Sequence, residues 1–371
     1  MGLKNYKHKE IKMNKMLDFS GDIIGMQIEE MKNAKIPVVM FGFGGSVFRM
    51  YDYLKNKAGL DIRYIVDNNP QKWGSIWEGA EVISFTKLKE IYQDCNIIIS
   101  VSSYKYVDEI KNQIVKDGQY SDKRVFYFEL YYPFGNDART IIENFLEDIK
   151  KVENILSDEL SKECFINKIN YILTKRKDYI APNTDAREYF PTDIMTFAQE
   201  NFIDAGAFHG EDTLALMDFA TCIKAYCVEP DAINYSFLKE NIKKYSNIEI
   251  INAAVWNKSE ELSFAASGTM GSTVNKGGTV KVKGISLDKE IGINNNITFI
   301  KMDVEGAELE ALEGAKNIIK KNKPKLAICV YHTIEHHWQI PLFIHSLCPE
   351  YKIYMRQHDQ TGIETVCYAT L

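Results

Sequence analysis

Short apolar runs alternate with helix-spaced segments in two separate stretches of this chain, a pattern that predicts two parallel sheets covered by helices. In the first stretch, from Pro37 to about Leu130, VVMF, IRYIV, EVIS, NIIISV and VFYFEL read as strands, with helices near 46–56, 87–92 and 104–116. Pro37 stands at the start of the first strand, where a missing N–H is tolerated. Residues 133–199 lack a strand pattern. Ile141, Phe145, Ile149, Val152, Leu156 and Leu160 recur there at spacings of three and four, as on helices that bury one face.

From Asn201 the alternation resumes, with FIDAG, KAYCVEP, IEIINAAV, ITFIKMDV and KLAICVYH as strands and a helix over 231–244. An irregular Gly/Ser/Thr stretch separates the third of these strands from the fourth. The chain closes with a helix near 341–347 and two short strands, YKIYMRQH and ETVCYATL, joined by a five-residue polar link containing Gly362. The expected class is α/β, with an N-terminal extension (1–35), a Rossmann-like accessory domain (36–132), a helical connector (133–200) and a second α/β domain (201–371).

Composition narrows the partners. At 371 residues the chain exceeds what one core usually supports, which agrees with two domains. A net charge of −6 supplies no basic field for nucleic acid, so a small molecule or neutral sugar is the easier substrate. The seven cysteines are odd in number, scattered and without a C-x-x-C pair, and read as small buried hydrophobes in a reducing compartment. No apolar run reaches the ~20 residues that span a bilayer, and the basic start of the chain carries no signal-peptide core, so a cytoplasmic location is expected.

The chemistry concentrates at the strand ends of the second domain, where ligands bind in open α/β sheets. Asp204-Ala205-Gly206-Ala207-Phe208-His209-Gly210 follows a strand and opens a helix that contains Thr213. Its glycines allow a tight turn, whereas Asp204 would repel a pyrophosphate and suits a ligand carrying an ammonium group. Glu229 closes the next strand, 23 residues after Gly206, where an acid can accept hydrogen bonds from ribose hydroxyls. Asn252 and Ala253 end the third strand and suit adenine. The fourth strand delivers Asp303 and Glu305 to the same rim, ahead of the turn at Gly306. Taken singly, these residues also suit plain strand ends, helix caps or first-turn acids.

Together, Phe202 to Thr213 (FIDAGAFHGEDT) and Lys301 to Glu308 (KMDVEGAE) resemble the FkbM family of S-adenosylmethionine-dependent methyltransferases, over roughly the 190s to Leu371. The resemblance implies a class I methyltransferase fold, S-adenosylmethionine as cofactor, and methyl transfer to a hydroxyl oxygen of a sugar, glycan or polyketide. Phe208-His209 departs from the Asn usual in the family after the Gly-Ala pair. Expected cofactor contacts are Asp204, Gly206, Ala207, His209, Gly210, Thr213, Glu229, Asn252, Ala253 and Asp303.

Asp303, Glu305 and His332 each end a strand, and any of them suits orienting or deprotonating an acceptor hydroxyl. His332 has the ordinary imidazole pKa of ~6.5 in its favour as a base, with a purely structural strand-end role as the alternative. His332 to His336 also spells H-x-x-E-H, but that metal motif needs both histidines on one helix, and no metal is assigned. Ser267 to Thr273 reads as an acceptor flap or as a solvated loop.

In the first domain, Gly42-Phe43-Gly44-Gly45-Ser46-Val47 and Asp67 form a truncated dinucleotide fingerprint, with Val47 at the third glycine position. A nucleotide or nucleotide-sugar at Gly42, Gly44 and Asp67, or a ligand-free structural domain, are both consistent with it. Two other functions therefore stay open: an NAD(P)- or nucleotide-sugar-dependent enzyme run by the first domain, and a non-catalytic scaffold that binds the cofactor.

Overall fold

The structure is a computed structural model that describes residues 17–44, 47–101, 104–117, 119–128, 136–180, 187–266, 273–274, 278–359 and 362–371. Two compact units divide it: one holds Phe19–Asp137 with Leu173–Lys175, the other Met1–Asp18, Ala138–Ile172 and Arg176–Leu371.

The first unit opens with α1 (Ile23–Ala34), capped by the Asp22 side chain, which accepts from the N–H groups of Ile24 and Gly25. Ile24, Ile28 and Met31 share one face of α1 and pack with Val38, Met40 and Ile62, so part of the stretch read as an extension belongs to this core. The strands are β1 (Val38–Phe41), β2 (Ile62–Val66), β3 (Ile76–Trp77), β4 (Ala80–Ile83), β5 (Asn96–Ile99) and β6 (Val125–Tyr127). Their order is β3-β4-β2-β1-β5-β6, parallel except for β3 against β4. Helices α2 (Val47–Tyr51), α3 (Phe85–Ile91) and α4 (Tyr104–Asp117) connect them. The helix expected over 46–56 is split, because a π-helical turn over Asp52–Lys57 follows α2.

In the second unit three helices come first, α5 (Asn136–Asn144), α6 (Leu146–Ile155) and α7 (Glu159–Thr174). They fill 136–174 of the stretch read as a helical connector (133–200), whose remainder has no α-helix among the described residues before Gln199 and carries a 3-10 turn at Lys177–Tyr179. Most of this segment is integral to the unit: Arg356 is buried among the carboxylates of Asp158 and Asp193, at 2.8 and 2.9 Å, and donates to Ser161 Oγ.

The large sheet is built from β7 (Gln199–Ala205), β8 (Thr221–Val228), β9 (Ile248–Ile251), β14 (Phe299–Met302), β15 (Lys325–Cys329), β16 (Lys352–Gln357) and β17 (Thr365–Thr370). Between β9 and β14 lie β10 (Ala254–Val255), β11 (Glu260–Ala265), β12 (Thr273–Val274) and β13 (Val280–Ile285). The seven-stranded order is β16-β17-β15-β14-β7-β8-β9, with β17 antiparallel to both neighbours. This is the class I methyltransferase arrangement expected from the sequence, with the last strand inserted antiparallel. Helices α8 (Glu211–Met217), α9 (Ala232–Ile242), α10 (Glu308–Gly314), α11 (Lys316–Asn322) and α12 (His336–Leu347) complete the unit.

Two expectations change here. The stretch read as irregular carries a small sheet, β10-β13-β11-β12, whose main hairpin buries Leu262 and Phe264 while Lys281 and Lys283 stay exposed. IEIINAAV is two strands, because Asn252 breaks the run and β10 pairs with β13 in the small sheet. Of the Ser267 to Thr273 segment only Thr273 lies within the described residues. Among the described residues no helix is long and apolar enough to cross a membrane.

Candidate active site

At the carboxyl end of β7 the chain turns sharply, with Gly206 at φ +79°, Phe208 at +47° and Gly210 at +90°. The turn is held from beneath by Lys301 of β14. Its ammonium lies 3.2 Å from Asp204 Oδ1 and 3.1 Å from Asp212 Oδ2, and donates to the Gly206 carbonyl at 2.9 Å. Burial opposes the charge on Lys301, but Asp204 and Asp212 outweigh it and hold its pKa well above the ordinary value.

Asp204 is fully buried and accepts from Thr213 Oγ1 at 2.7 Å. The sequence reading gave Asp204 to a ligand's ammonium; the structure gives it the ammonium of Lys301, behind the loop. Thr213 likewise serves Asp204.

Glu229, past the end of β8, accepts from the N–H of Phe208 (3.0 Å) and of Asp231 (2.8 Å). Burial pushes its pKa up to about 7, against those two donors. Asn252 donates to the Glu229 and Pro230 carbonyls and so braces this strand end.

Past β14, Glu305 has a positive φ of 54° and Gly306 one of 98°. Tyr189 donates to Asp303 Oδ2 at 3.0 Å. His332 Nε2 stands 3.4 Å from Asp303 Oδ1 and 3.5 Å from Glu305 Oε2, while its Nδ1 stands 2.8 Å from Glu308 Oε1. Glu308 is fully buried, also lies 3.1 Å from His336 Nδ1, and accepts from the N–H groups of Val304 and Gly306.

Burial opposes a charge on His332, but Glu308, Glu305 and Asp303 hold its pKa well above the ordinary imidazole value. So long as no cation replaces that proton, the imidazole has no lone pair to take another near neutrality, which removes the ground on which His332 was attractive as the base. The H-x-x-E-H reading has no helix to stand on: His332 precedes α12, and His336 is its first residue.

These strand ends open on one cavity of about 490 Å³. Of the expected residues, Gly206, Ala207, Glu229, Asp303 and Glu305 line it, whereas Asp204, His209, Gly210, Thr213, Asn252, Ala253 and His332 do not. His209 stacks on Phe208, with ring centroids 3.7 Å apart. Gly210 packs under α9, where a Cβ would stand 2.9 Å from Leu238.

The cavity also uses residues that sequence reasoning missed, among them Glu188, Tyr189, Phe208, Lys301, Phe264 and Glu364. Lys301 was readable as a charge inside an apolar strand. Glu188 and Tyr189 precede β7 in the stretch read as a helical connector, where the chain forms a turn instead, and they carried no such signal.

In the first unit, Gly42 takes φ +116° at the end of β1, beside Asp67 at the end of β2. Asp67 Oδ2 accepts from the Phe43 N–H (2.8 Å) and Lys72 Nζ (3.1 Å), and Oδ1 from the Asn69 N–H (2.8 Å). Gly45 and Ser46 lie outside the described residues.

The cavity residues fit S-adenosylmethionine. Gly206 and Ala207 bring bare backbone to the wall, Glu229 offers a buried carboxylate, and Val228, Ala254, Val255 and Phe264 supply an apolar face for a purine.

The family profile "Methyltransferase FkbM domain" matches residues 204–360, and "C2185-like, N-terminal" matches residues 33–126. No curated protein sequence matches the chain. The crystal structure of methyltransferase FkbM from Methylobacillus flagellatus KT is similar over 95% of this chain and 94% of that one, with a TM-score of 0.72 and 19% identity. Precorrin-6y C5,15-methyltransferase from Geobacter metallireducens GS-15 is matched over 52% of this chain and 94% of its own, at 9% identity and a TM-score of 0.33. A S-adenosylmethionine-dependent methyltransferase from Aquifex aeolicus covers 50% of this chain and 93% of its own, at 16% identity and a TM-score of 0.30. With the class I sheet beneath these strand ends, residues 204–360 form a methyltransferase FkbM domain, the S-adenosylmethionine-dependent part of this chain.

Proposed function

We propose that the second unit moves a methyl group from S-adenosylmethionine to a hydroxyl of a sugar, glycan or related metabolite. The observation that carries this reading is that one cavity joins the Gly206–Glu229 wall to the carboxylates of Asp303 and Glu305.

When bound, S-adenosylmethionine supplies an electrophilic methyl group on a sulfonium. Glu229 would accept hydrogen bonds from the ribose hydroxyls with the lone pairs that Phe208 and Asp231 leave free. Asp303 and Glu305 would accept from the acceptor hydroxyl, orient its oxygen toward the methyl and draw on its proton. Tyr189 fixes one Asp303 oxygen. Among the described residues, seven carboxyl side chains line the cavity against one ammonium, that of Lys301, which is already engaged. That wall suits a neutral polyhydroxyl acceptor and opposes a phosphorylated or carboxylated one.

The reading based on the first unit has less support, because Asp67 is neutralised by Lys72 and both its oxygens already accept hydrogen bonds from the chain. The scaffold reading lacks a reason for carboxylates facing open space. Calorimetry with S-adenosylmethionine, S-adenosylhomocysteine, NAD and UDP-sugars separates the alternatives, followed by transfer of a labelled methyl to a panel of neutral glycans. We expect tight binding of the first two ligands and label on oxygen. Binding of NAD alone, or label on nitrogen or carbon, would overturn the reading.

A further inference from the structure

We propose that Asp303, Glu305 and His332 form a binding site for one divalent cation at the floor of the cavity. A donor atom from each of the three lies within 4.8 Å of the others. The closest approaches are 3.4 Å from His332 Nε2 to Asp303 Oδ1 and 3.5 Å from His332 Nε2 to Glu305 Oε2. Two donors each about 2.1 Å from one ion, set at cis or tetrahedral angles, stand roughly 3.0 to 3.4 Å apart. The imidazole is therefore spaced from each carboxylate about as two ligands of a common centre are.

A second observation points the same way. The His332 side chain is 4% exposed, and neither of its ring nitrogens nor Asp303 Oδ1 makes a hydrogen bond of acceptable geometry among the described residues. Buried polar atoms without such bonds cost stability unless something else satisfies them. His332 Nε2 and Asp303 Oδ1 face the point where Glu305 arrives.

The surroundings match a built metal site. His332 Nδ1 is backed at 2.8 Å by Glu308, itself fully buried and held by the Val304 and Gly306 N–H groups. A carboxylate behind the non-ligating nitrogen is how metal-binding imidazoles are oriented and made more basic. Two carboxylates with one imidazole suit hard to borderline ions such as Mn²⁺. Asp303 and Glu305 line the cavity, so the remaining coordination positions would open toward it. An ion there would take a water or an acceptor hydroxyl; the hydroxyl role rests on the O-methyl transfer reading, whereas the site rests on its own geometry.

The test uses the full chain, stripped of metal and titrated with Mn²⁺, with free ion followed by electron paramagnetic resonance. One equivalent should bind. Glu308→Gln, which keeps all three ligands, should weaken binding by ~10- to 100-fold. Asp303→Asn and Glu305→Gln should weaken it at least as much. Calorimetry with S-adenosylmethionine on the same samples separates the two readings. A wild-type protein that binds the cofactor but shows no saturable Mn²⁺ binding overturns the cation site and leaves methyl transfer standing. Variants that bind Mn²⁺ as the wild type does also overturn it. Retained Mn²⁺ binding without cofactor binding overturns the methyltransferase reading and keeps the cation site.

Discussion

Gly206 and Asp303 meet backbone to backbone: a Cβ on Gly206 would stand 1.8 Å from the Asp303 carbonyl oxygen. The loop after β7 and the loop after β14 therefore fit together only because one of them carries no side chain at the contact.

Gly206→Ala should accordingly abolish cofactor binding and destabilise the second unit, since the clash is with backbone and the φ of +79° disfavours any L side chain. Gly44→Ala, at the strand end of the first unit with nothing within 4 Å, should change neither. Thermal melts and calorimetry on the two variants check the contrast. Equal behaviour would mean that the loops can separate without loss.

Lys301→Met should cost about 3–5 kcal/mol, because it leaves Asp204 buried without its counter-charge. Asp204→Asn combined with Lys301→Met should recover part of that loss, since no uncompensated charge then remains between that pair. Unfolding midpoints of both variants decide the matter, and a double variant less stable than the single one would contradict the assigned pairing.

Glu229→Ala should weaken S-adenosylmethionine binding by ~1 to 3 kcal/mol, through loss of a buried acceptor for the ribose hydroxyls. The affinity is read by calorimetry. An unchanged Kd in a folded variant would take Glu229 out of the cofactor site.

Glu188 predicts a pH dependence of stability. Burial, then Glu364, Asp303 and Asp212, push its carboxyl up to about 8. Between the ordinary glutamate value and that point the folded chain holds a proton that the unfolded chain has lost, so stability falls as pH rises through this window. Glu229, pushed up to about 7, acts in the same direction. Glu188→Gln should flatten the fall by at most roughly 1.4 kcal/mol per pH unit. Melting temperatures from pH 5 to pH 8 for both proteins measure it, and parallel curves would show that Glu188 titrates alike in both states.

Both large sheets were legible in the sequence because their strands are continuous apolar runs, as burial on both faces requires. The hairpin of β11 and β13 was not. Its outward positions are charged, and the turn-rich residues between its strands hid an alternation only five pairs long. At the site, glycines and strand-end acids announced the rim. Which acids face the cavity was not readable, because a strand end does not tell on which side the ammonium of Lys301 lies. The environment of His332 was hidden for a related reason: Glu308 stands in the signature as one acid among several, and only the fold turns it back onto the imidazole. Phe208 shows the converse, a residue legible as a departure whose N–H still reaches Glu229 from a left-handed conformation.

The placement of β17 has a consequence for synthesis. Residues 365–370 lie inside the sheet, between β15 and β16, although they are made after both of these strands. While they are still in the ribosome, β15 has one open edge and β16 has no sheet partner among the described strands. Open, apolar edges of that kind recruit strands from other molecules. The nascent chain is thus vulnerable to aggregation in the interval just before β17 emerges, and the antiparallel insertion of β17 between its neighbours is also the event that ends that exposure.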